Sequence, residues 1–432
     1  MQSRFEQFTV GVEISPGWVR AVVLRFFNTS RSFDVLACTE QEGPHLEEGI
    51  PGDVRRLTEA IGAVCEEAGR KARRDIQHVY CNVDTQGCTL EYGRTSTRPV
   101  RGQSLLRRLV DLDLGGEDRQ IATRRDIEQL ERDIFRQKRG GEVVFHSDRM
   151  FYSNDEGSLI RGDPERTSTR SLTLHSSAAL ARKSVLNNLI GVVRDASLEI
   201  GGFFPTAVAV GQCLLTDDER KIGTVLIDIG PSACGIAIYQ GGHLRAMSSI
   251  DFGARKIAER IAQRHAVSLS EGERVLFSYG CTSVDLADQS PLEMKPVCGD
   301  ERDHKRVKIK RQTLAETVQS AYQQLFERVR RQISQMPHEI EHPMMVLTGA
   351  GAQVEGVLST AEDRLGSSVS NMRLGSPQLK IVGGRFARNL DVRYACAAGV
   401  AICGFKKRET LPPPDSVWSS VPYYKNFAGA EQ

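Results

Sequence analysis

Val10-Gly11-Val12-Glu13-Ile14-Ser15-Pro16-Gly17, running on into the apolar-rich residues 19–24, and Val225-Leu226-Ile227-Asp228-Ile229-Gly230-Pro231-Ser232, running on into residues 236–239, are two versions of one pattern. Each reads as a buried strand with an acidic residue near its end, a tight turn of small residues and proline, and a second strand. The two acidic residues, Glu13 and Asp228, align at an offset of 215 positions. Either copy alone is an ordinary strand–turn–strand piece. Together, in parallel order, they describe a duplicated hairpin and hence two similar α/β lobes. Such a pair aims two turns, each with a carboxylate, at the space between the lobes. Small turn residues leave backbone N–H groups to cradle a phosphate, and a nearby carboxylate can hold Mg²⁺.

The rest of the composition is compatible with this. A chain of 432 residues is long enough for two or more domains, and 40% hydrophobic residues can fill their cores. A net charge of +2 gives no global electrostatic case for nucleic acid. No apolar run is long enough to span a bilayer, and the first residues lack a signal-peptide pattern, so the chain reads as cytoplasmic. Ten cysteines are scattered from Cys38 to Cys403 without a CxxC pair, which indicates neither a zinc site nor a redox motif.

Patterning divides the chain as follows. Residues 1–83 form the first part of the first lobe: the hairpin, an amphipathic helix over 51–72 with Leu57, Ile61 and Val64 on one face, and a strand over 78–83. Residues 84–170 differ in character and read as an inserted α+β subdomain. Thr123 caps a helix there through Gln137, with Ile127, Leu130 and Ile134 on its apolar side. Residues 171–206 return to the first lobe. Residues 207–267 begin the second lobe, 268–343 form its smaller subdomain, and 344–404 close it; the stretch 270–311 reads as polar and irregular, and 313–335 as a long helix. Residues 405–432 are Pro-rich and read as a disordered tail.

In this order the pieces resemble the actin/Hsp70 superfamily, and most closely the bacterial cell-division family FtsA. Asp228-Ile229-Gly230 stands where that family has its second phosphate loop. Arg311-Gln312-Thr313-Leu314-Ala315-Glu316 is similar to a segment typical of the family. Val346-Leu347-Thr348-Gly349-Ala350-Gly351-Ala352-Gln353-Val354-Glu355-Gly356 resembles its adenosine loop, and Tyr394-Ala395-Cys396-Ala397-Ala398-Gly399 its hinge helix. Met150-Phe151-Tyr152-Ser153-Asn154-Asp155-Glu156-Gly157 resembles a strand and turn of its inserted subdomain. The resemblance implies an actin-like two-lobe fold, a duplicated RNase H-like α/β architecture with an FtsA-type inserted α+β subdomain. It also implies ATP or ADP with Mg²⁺ in the cleft. The implied contacts are Glu13, Ser15 and Gly17 in the first loop, Asp228, Gly230, Ser232 and Gly253 in the second, Glu273 on the smaller subdomain, and Gly349, Ala350 and Gly351 in the adenosine loop; Glu13 and Asp228 would hold the metal. Gly349 and Gly351 leave room for a base and ribose, and Gln353 onward reads as a helix whose start favours phosphate.

The departures bear on chemistry. Glu13 replaces the family's Asp, and Pro16, which has no N–H to donate, stands in the first loop. Pro231, Ala233 and Gly235 replace residues common in the second loop, and Leu276 replaces a common Lys. Two outcomes stay open: nucleotide held with at most weak hydrolysis, or nucleotide not held at all. No catalytic residue is assigned.

Other motifs read as incidental. His338-Glu339-Ile340-Glu341-His342 satisfies HExxH, but Pro337 and Pro343 flank it and Pro343 biases His342 away from helix. Arg161-Gly162-Asp163 reads as a turn, and Arg107, Arg108, Arg124 and Arg125 as a solvated face.

The resemblance implies a cell-division adaptor that self-associates into filaments, meets other divisome proteins and links the FtsZ C-terminal peptide to the cytoplasmic face of the membrane at the division site. Lys305, Lys308 and Lys310, in a basic-apolar alternation, read as the docking edge for that acidic peptide. Peripheral membrane contact through the tail's basic and aromatic residues is left open. The alternatives are a related assembly scaffold such as the pilus protein PilM, a degenerate actin-like protein without nucleotide, and a sugar or carboxylate kinase, whose need for intact phosphate loops the departures oppose.

Overall fold

The computed structural model describes residues 8–27, 32–44, 46–47, 50–100, 119–296, 306–338, 340, 343–366, 372–379, 381–384 and 386–410. In chain order the elements are β1 (Phe8–Ser15), β2 (Trp18–Phe27), β3 (Ser32–Glu42), the short pair β4 (Leu46–Glu47) and β5 (Ile50–Pro51), α1 (Val54–Ala72), β6 (His78–Val83), β7 (Cys88–Pro99), β8 (Gln120–Ile121), α2 (Arg124–Arg136), β9 (Lys138–Arg139), β10 (Glu142–Asn154), β11 (Leu159–Ile160), β12 (Ser168–Thr169), β13 (Ser171–Arg182) and α3 (Lys183–Asp195). They continue with β14 (Glu199–Pro205), α4 (Thr206–Leu214), α5 (Asp217–Ile222), β15 (Thr224–Ile229), β16 (Cys234–Gln240), β17 (His243–Ile250), α6 (Ala254–His265), α7 (Leu269–Tyr279), β18 (Pro291–Met294), β19 (Val307–Lys310), α8 (Arg311–Gln335), β20 (Met344–Thr348), α9 (Val357–Leu365), β21 (Met372–Leu374), β22 (Ile381–Gly383) and α10 (Ala395–Thr410). The described chain divides into two compact units, one built from residues up to 86 and from 190 onward, the other from Gly87–Leu189.

The first unit contains the duplication. One sheet runs β14-β6-β1-β2-β3-β22 and the other β21-β20-β15-β16-β17, so five positions repeat in the same order. In each, the hairpin is antiparallel, with Glu13 opposite Arg20 in β1–β2 and Asp228 opposite Gly235 in β15–β16. In each, the first hairpin strand lies parallel to the next inner strand, β1 to β6 and β15 to β20. The near-continuous apolar character of β15 follows from burial on both faces: Val225, Leu226, Ile227 and Ile229 are all buried. On one side of it pack Ile257 and Ile261 of α6 and Leu314, Val318, Tyr322 and Leu325 of α8, which recur at helical spacing. Each such side chain, fully buried, contributes about 1.5–3 kcal/mol.

The first lobe obeys the same logic. Asp53 caps α1 by accepting from Arg56 N, and the stripe Leu57, Ile61, Val64 and Ala68 is buried. The helix α10 crosses β1 and α4 at backbone distance. A Cβ built on Gly11 would lie 2.0 Å from Ala397 O, and one on Gly399 would lie 1.8 Å from Ala209 O. Only glycine permits both crossings.

The second unit is a sheet in the order β11-β10-β13-β7 with α2 on one face. Thr123 and Asp126 form a capping box at the start of α2, and Ile127, Leu130 and Ile134 pack on Val144, Leu172, Leu174 and Leu180. The inserted block therefore extends past 170, the boundary expected from the sequence. The strand β13 is paired along its length, from Leu172 opposite Arg98 and Asn154 to Ala181 opposite Cys88 and Val143. No glycine or proline interrupts Ser171–Arg182, so nothing local marks where the inserted sheet ends.

Two further expectations are corrected. The stretch 270–311, expected to be irregular, contains most of α7, capped by Ser268, and the β18–β19 hairpin. The turn after β20 continues as a single 3-10 turn, Ala350–Gln353, and α9 starts only at Val357. The helix start expected at Gln353 is thus displaced, and the glycine turn does not sit on a helix N-terminus. The Arg107 and Arg108 readings, the 411–432 part of the tail, and Glu339, Glu341 and His342 of HExxH lie outside the described residues; His338 follows the end of α8.

Candidate functional site

The duplicated hairpins converge, within the first unit, on a cleft of about 480 Å³. That volume suits a small-molecule ligand. Glu13, Ser15, Gly17, Asp228, Gly230, Ser232, Glu273, Gly349 and Ala350 all line it. Gly253 and Gly351 are not among the lining residues. Gly253 caps α6 against the second turn: a Cβ there would lie 2.4 Å from Pro231 O. Gly351 faces the core, since a Cβ would lie 2.3 Å from Ile229 Cγ2 and its carbonyl accepts from Tyr322 Oη at 2.6 Å. Neither glycine makes room for a base. Gly349 has φ of 87°, and a Cβ there would lie 2.4 Å from Asp228 Oδ1. It lets the third turn close onto the second.

The floor of the cleft is acidic. Glu13 and Asp228 are joined by Asp84, which follows β6. Burial raises all three carboxyls above their usual range. Asp228 is pushed up to about 7, by burial first and then by the charges of Glu13 and Asp84. At Glu13, burial outweighs the opposing pull of Arg20. Backbone N–H groups of Thr85 and Gln86 partly offset the rise at Asp84. Arg20 Nη1 donates to Glu13 Oε1 at 3.4 Å and Arg20 Nε to Glu40 Oε2 at 3.3 Å. The other oxygen of Glu13, Oε2, is buried without a hydrogen-bond partner. Asn82 locks the floor: its Oδ1 accepts from Ile14 N at 2.7 Å, and its Nδ2 donates to Ile14 O at 3.2 Å and to Thr206 Oγ1 at 2.9 Å. The Cys396 thiol, at the start of α10, is raised by burial and then by the same carboxylates. The nine described cysteines are buried and form no disulfide with one another.

The other end is less polar. On α7, Glu273 and Phe277 stand one turn apart and both line the cleft, with Phe277 51% exposed. The end of α7 is tied to the turn after β20 by Thr282 N donating to Glu355 O at 2.8 Å. Gly349, Ala350 and Gln353 line this end with them.

Four contributors escape the reading of the sequence: Asn82, Asp84, Arg20 and Phe277. Asp84 is detectable in principle, because it follows a strand parallel to β1, and carboxyl ends of parallel strands are where ligands gather. Arg20 is detectable as the residue facing Glu13 across a two-residue hairpin. Phe277 is not, since its helix carries no clear apolar period.

The residues suit one part of a nucleotide–metal complex better than another. Three partly buried carboxylates, one with an orphaned oxygen, suit a divalent cation. Among the described residues no three His, Cys, Asp or Glu side chains form a metal-ligating cluster, so a cation would need ligand oxygens as well. An aromatic face with a carboxylate one turn away suits a base and ribose. The donor set for phosphate is thin: Gly17 N donates to Pro44 O at 3.0 Å, Gly230 N to Ala233 O at 2.9 Å, and Pro16 and Pro231 have no N–H. The proposed docking lysines lie elsewhere. Lys308 and Lys310 are exposed on β19; Lys308 pairs with Glu293 at 2.9 Å, Lys310 Nζ donates to Gln289 Oε1 at 3.4 Å, and Lys305 lies outside the described residues.

The family model for the cell division protein FtsA matches residues 225–399. The FtsA of Bacillus subtilis (strain 168) is 29% identical over 215 residues, covering 50% of this chain and 48% of that protein. The FtsA of Agrobacterium fabrum (strain C58 / ATCC 33970) is 23% identical over 346 residues, covering 80% of this chain and 73% of that protein. The chain thus spans about half the length of the Bacillus relative. Among solved structures, a chain of a PilM-PilN type IV pilus biogenesis complex superposes with a TM-score of 0.58 at 16% identity, covering 92% of this chain and 98% of that one. MreB5 of Spiroplasma citri bound to ADP gives 0.50 at 11% identity, covering 94% and 96%. The chain is thus similar in sequence to FtsA, with the family model matching over 225–399, and similar in fold to the actin-like structures of the PilM-PilN complex and MreB5.

Proposed function

We propose that this chain is a cell-division adaptor that holds an adenine nucleotide with a divalent cation in its cleft, self-associates, and links FtsZ to the membrane and divisome. The observation that carries the nucleotide reading is the convergence of Glu13 and Asp228, from two equivalent hairpins, and Asp84, from the end of β6, on one cleft whose other end is lined by Phe277 and Glu273. Glu13 and Asp228, with Asp84, would hold the cation, which would offset the charge of these carboxylates and of the nucleotide's phosphates. Phe277 stacks on the base, Glu273 accepts from ribose or base, and Gly349 and Ala350 border the same space. Asn82 and Arg20 fix Glu13. Hydrolysis is at most weak, because the turns offer few donors for a developing phosphoryl charge. The match to a cell-division family over 225–399 favours this partner class over a pilus scaffold. Filament formation, docking of the FtsZ tail at Lys308, Lys310 and Lys305, and a site of action at the cytoplasmic face of the division site belong to the same proposal.

Calorimetric titration with ADP and Mg²⁺ tests it. Wild type is expected to bind, and Asp228→Ala to lose affinity mainly when Mg²⁺ is present. Absence of binding heat, or a variant that binds as tightly as wild type in the presence of Mg²⁺, would rule out the cleft as the nucleotide site.

A further inference from the structure

The geometry points to a cleft that gains nothing from a third phosphate: we infer that it takes a nucleoside diphosphate and a nucleoside triphosphate about equally, so that its ligand serves as a fixed part of the fold and not as a hydrolysis-driven switch. This rests on the nucleotide reading above and specifies which nucleotide.

The order of the turns carries the inference. Strands β15 and β20 are parallel neighbours with Asp228 opposite Thr348, and Gly349 closes onto Asp228. The turn lining the base end and the second hairpin turn are therefore adjacent in one sheet. The first hairpin turn belongs to the other sheet. A phosphate chain leaving a ribose at Phe277 and Glu273 meets the second turn first, and its last phosphate meets the first turn.

The two turns differ in what they can donate. The second keeps the N–H groups of Ser232 and Ala233, although Gly230 N donates to Ala233 O and the leading amides of α6 are already used: Ala254 N donates to Gly230 O and Arg255 N to Pro231 O, both at 2.9 Å. The first keeps nothing at its tip. Pro16 has no N–H, Gly17 N donates to Pro44 O, and the Ser15 hydroxyl donates to Trp18 O at 3.1 Å. The guanidinium of Arg20 beside it is shared between Glu13 and Glu40. A phosphate at this end would face carboxylates and find no amide, whereas one or two phosphates at the other end find Ser232 and Ala233. An anion is held by backbone N–H groups pointing at it, and here they point at protein carbonyls instead.

Calorimetry with ADP and with a non-hydrolysable ATP analogue, each with Mg²⁺, tests the inference. In wild type the two affinities are expected within about threefold of each other. Pro16→Gly gives the tip an N–H and is expected to raise the triphosphate-to-diphosphate affinity ratio about tenfold, the worth of one charge-assisted hydrogen bond, with ADP affinity unchanged. Should that variant fail to fold, Pro16→Ala supplies the same N–H. A wild type that prefers the triphosphate more than tenfold, or folded variants with an unchanged ratio, would overturn the inference. Binding of neither nucleotide by wild type would instead overturn the cleft reading, and this inference with it.

Discussion

At the scale of single residues, the cleft is dominated by unfavourable charge. Asp228 has its pKa raised from 3.8 to about 7 by burial and by Glu13 and Asp84. A carboxyl whose pKa is raised on folding binds its proton more tightly in the folded chain. Its contribution is therefore intact below the usual carboxylate range and is lost as pH rises toward the folded value. A tenfold difference in proton affinity between the folded and unfolded chain is worth about 1.4 kcal/mol, so the ligand-free protein is expected to lose up to a few kcal/mol between about pH 4 and 7 through this group. Asp228→Asn should melt higher than wild type at pH 8 and about level with it at pH 4, as followed by circular dichroism; a variant less stable at pH 8 would mean that the carboxylate is favourably held. Phe277 presents the opposite case. It is half exposed in the cleft wall, so Phe277→Ala should leave the melting temperature within a degree or two. A lost base–aromatic stack of about 1–3 kcal/mol should still weaken nucleotide binding roughly fivefold or more. Unchanged affinity in that variant would move the base elsewhere. Glu13 and Asp228 are legible in the sequence because the hairpin repeats. Phe277 is illegible there because an exposed aromatic on a short helix has no local signature. Gly351 misleads for a related reason: a glycine string shows that backbones approach closely, not which glycine meets ligand and which meets Ile229.

At the scale of elements, the strands and long helices are legible where burial is periodic or continuous. The helix α8, expected over 313–335, spans Arg311–Gln335, because Leu314, Val318, Tyr322, Leu325 and Val329 all face one core. The helix α7 escapes a sequence reading because only Glu271, Gly272, Val275 and Leu276 are buried in it, too few to set a period. The α10 crossings are legible only in part: small residues in 394–403 point to a close-packed helix, but its partners come from far along the chain. Those crossings make a sharp test. Gly399→Val places a branched side chain where a Cβ alone would lie 1.8 Å from Ala209 O, so α10 and α4 must part. Overpacking of this kind costs about 1–3 kcal/mol or more. A melting temperature within a degree of wild type would contradict the packing described. On β19, Lys308 is expected to contribute less than the alternation implies, since Glu293 already neutralises it; Lys310→Glu should weaken an acidic tail peptide more than Lys308→Glu, in a fluorescence anisotropy titration at low salt.

At the scale of the whole molecule, the duplication decides what can be read. Two similar α/β lobes, each with a carboxylate at its hairpin, are implied by eight residues seen twice; that their sheets repeat one strand order is seen only in the structure. The limit of the inserted unit is not implied, because β13 is an unbroken strand whose pairing with β7 and β10 is long-range. Excising 87–189 in favour of a short linker should leave a foldable remainder, since the other unit holds both repeated sheets and their core. The proposed self-association should be lost with it, as checked by electron microscopy on a lipid monolayer. The central claim, that the cleft between the repeated hairpins holds the nucleotide, has a reporter already in place. Trp18 lines the cleft beside Arg20, and Trp418 is the other tryptophan of the chain. In a Trp418→Phe background, titration with ADP and Mg²⁺ should change Trp18 fluorescence saturably, with the midpoint found by calorimetry. Calorimetric binding with no change at Trp18, or no binding at all, would contradict the claim.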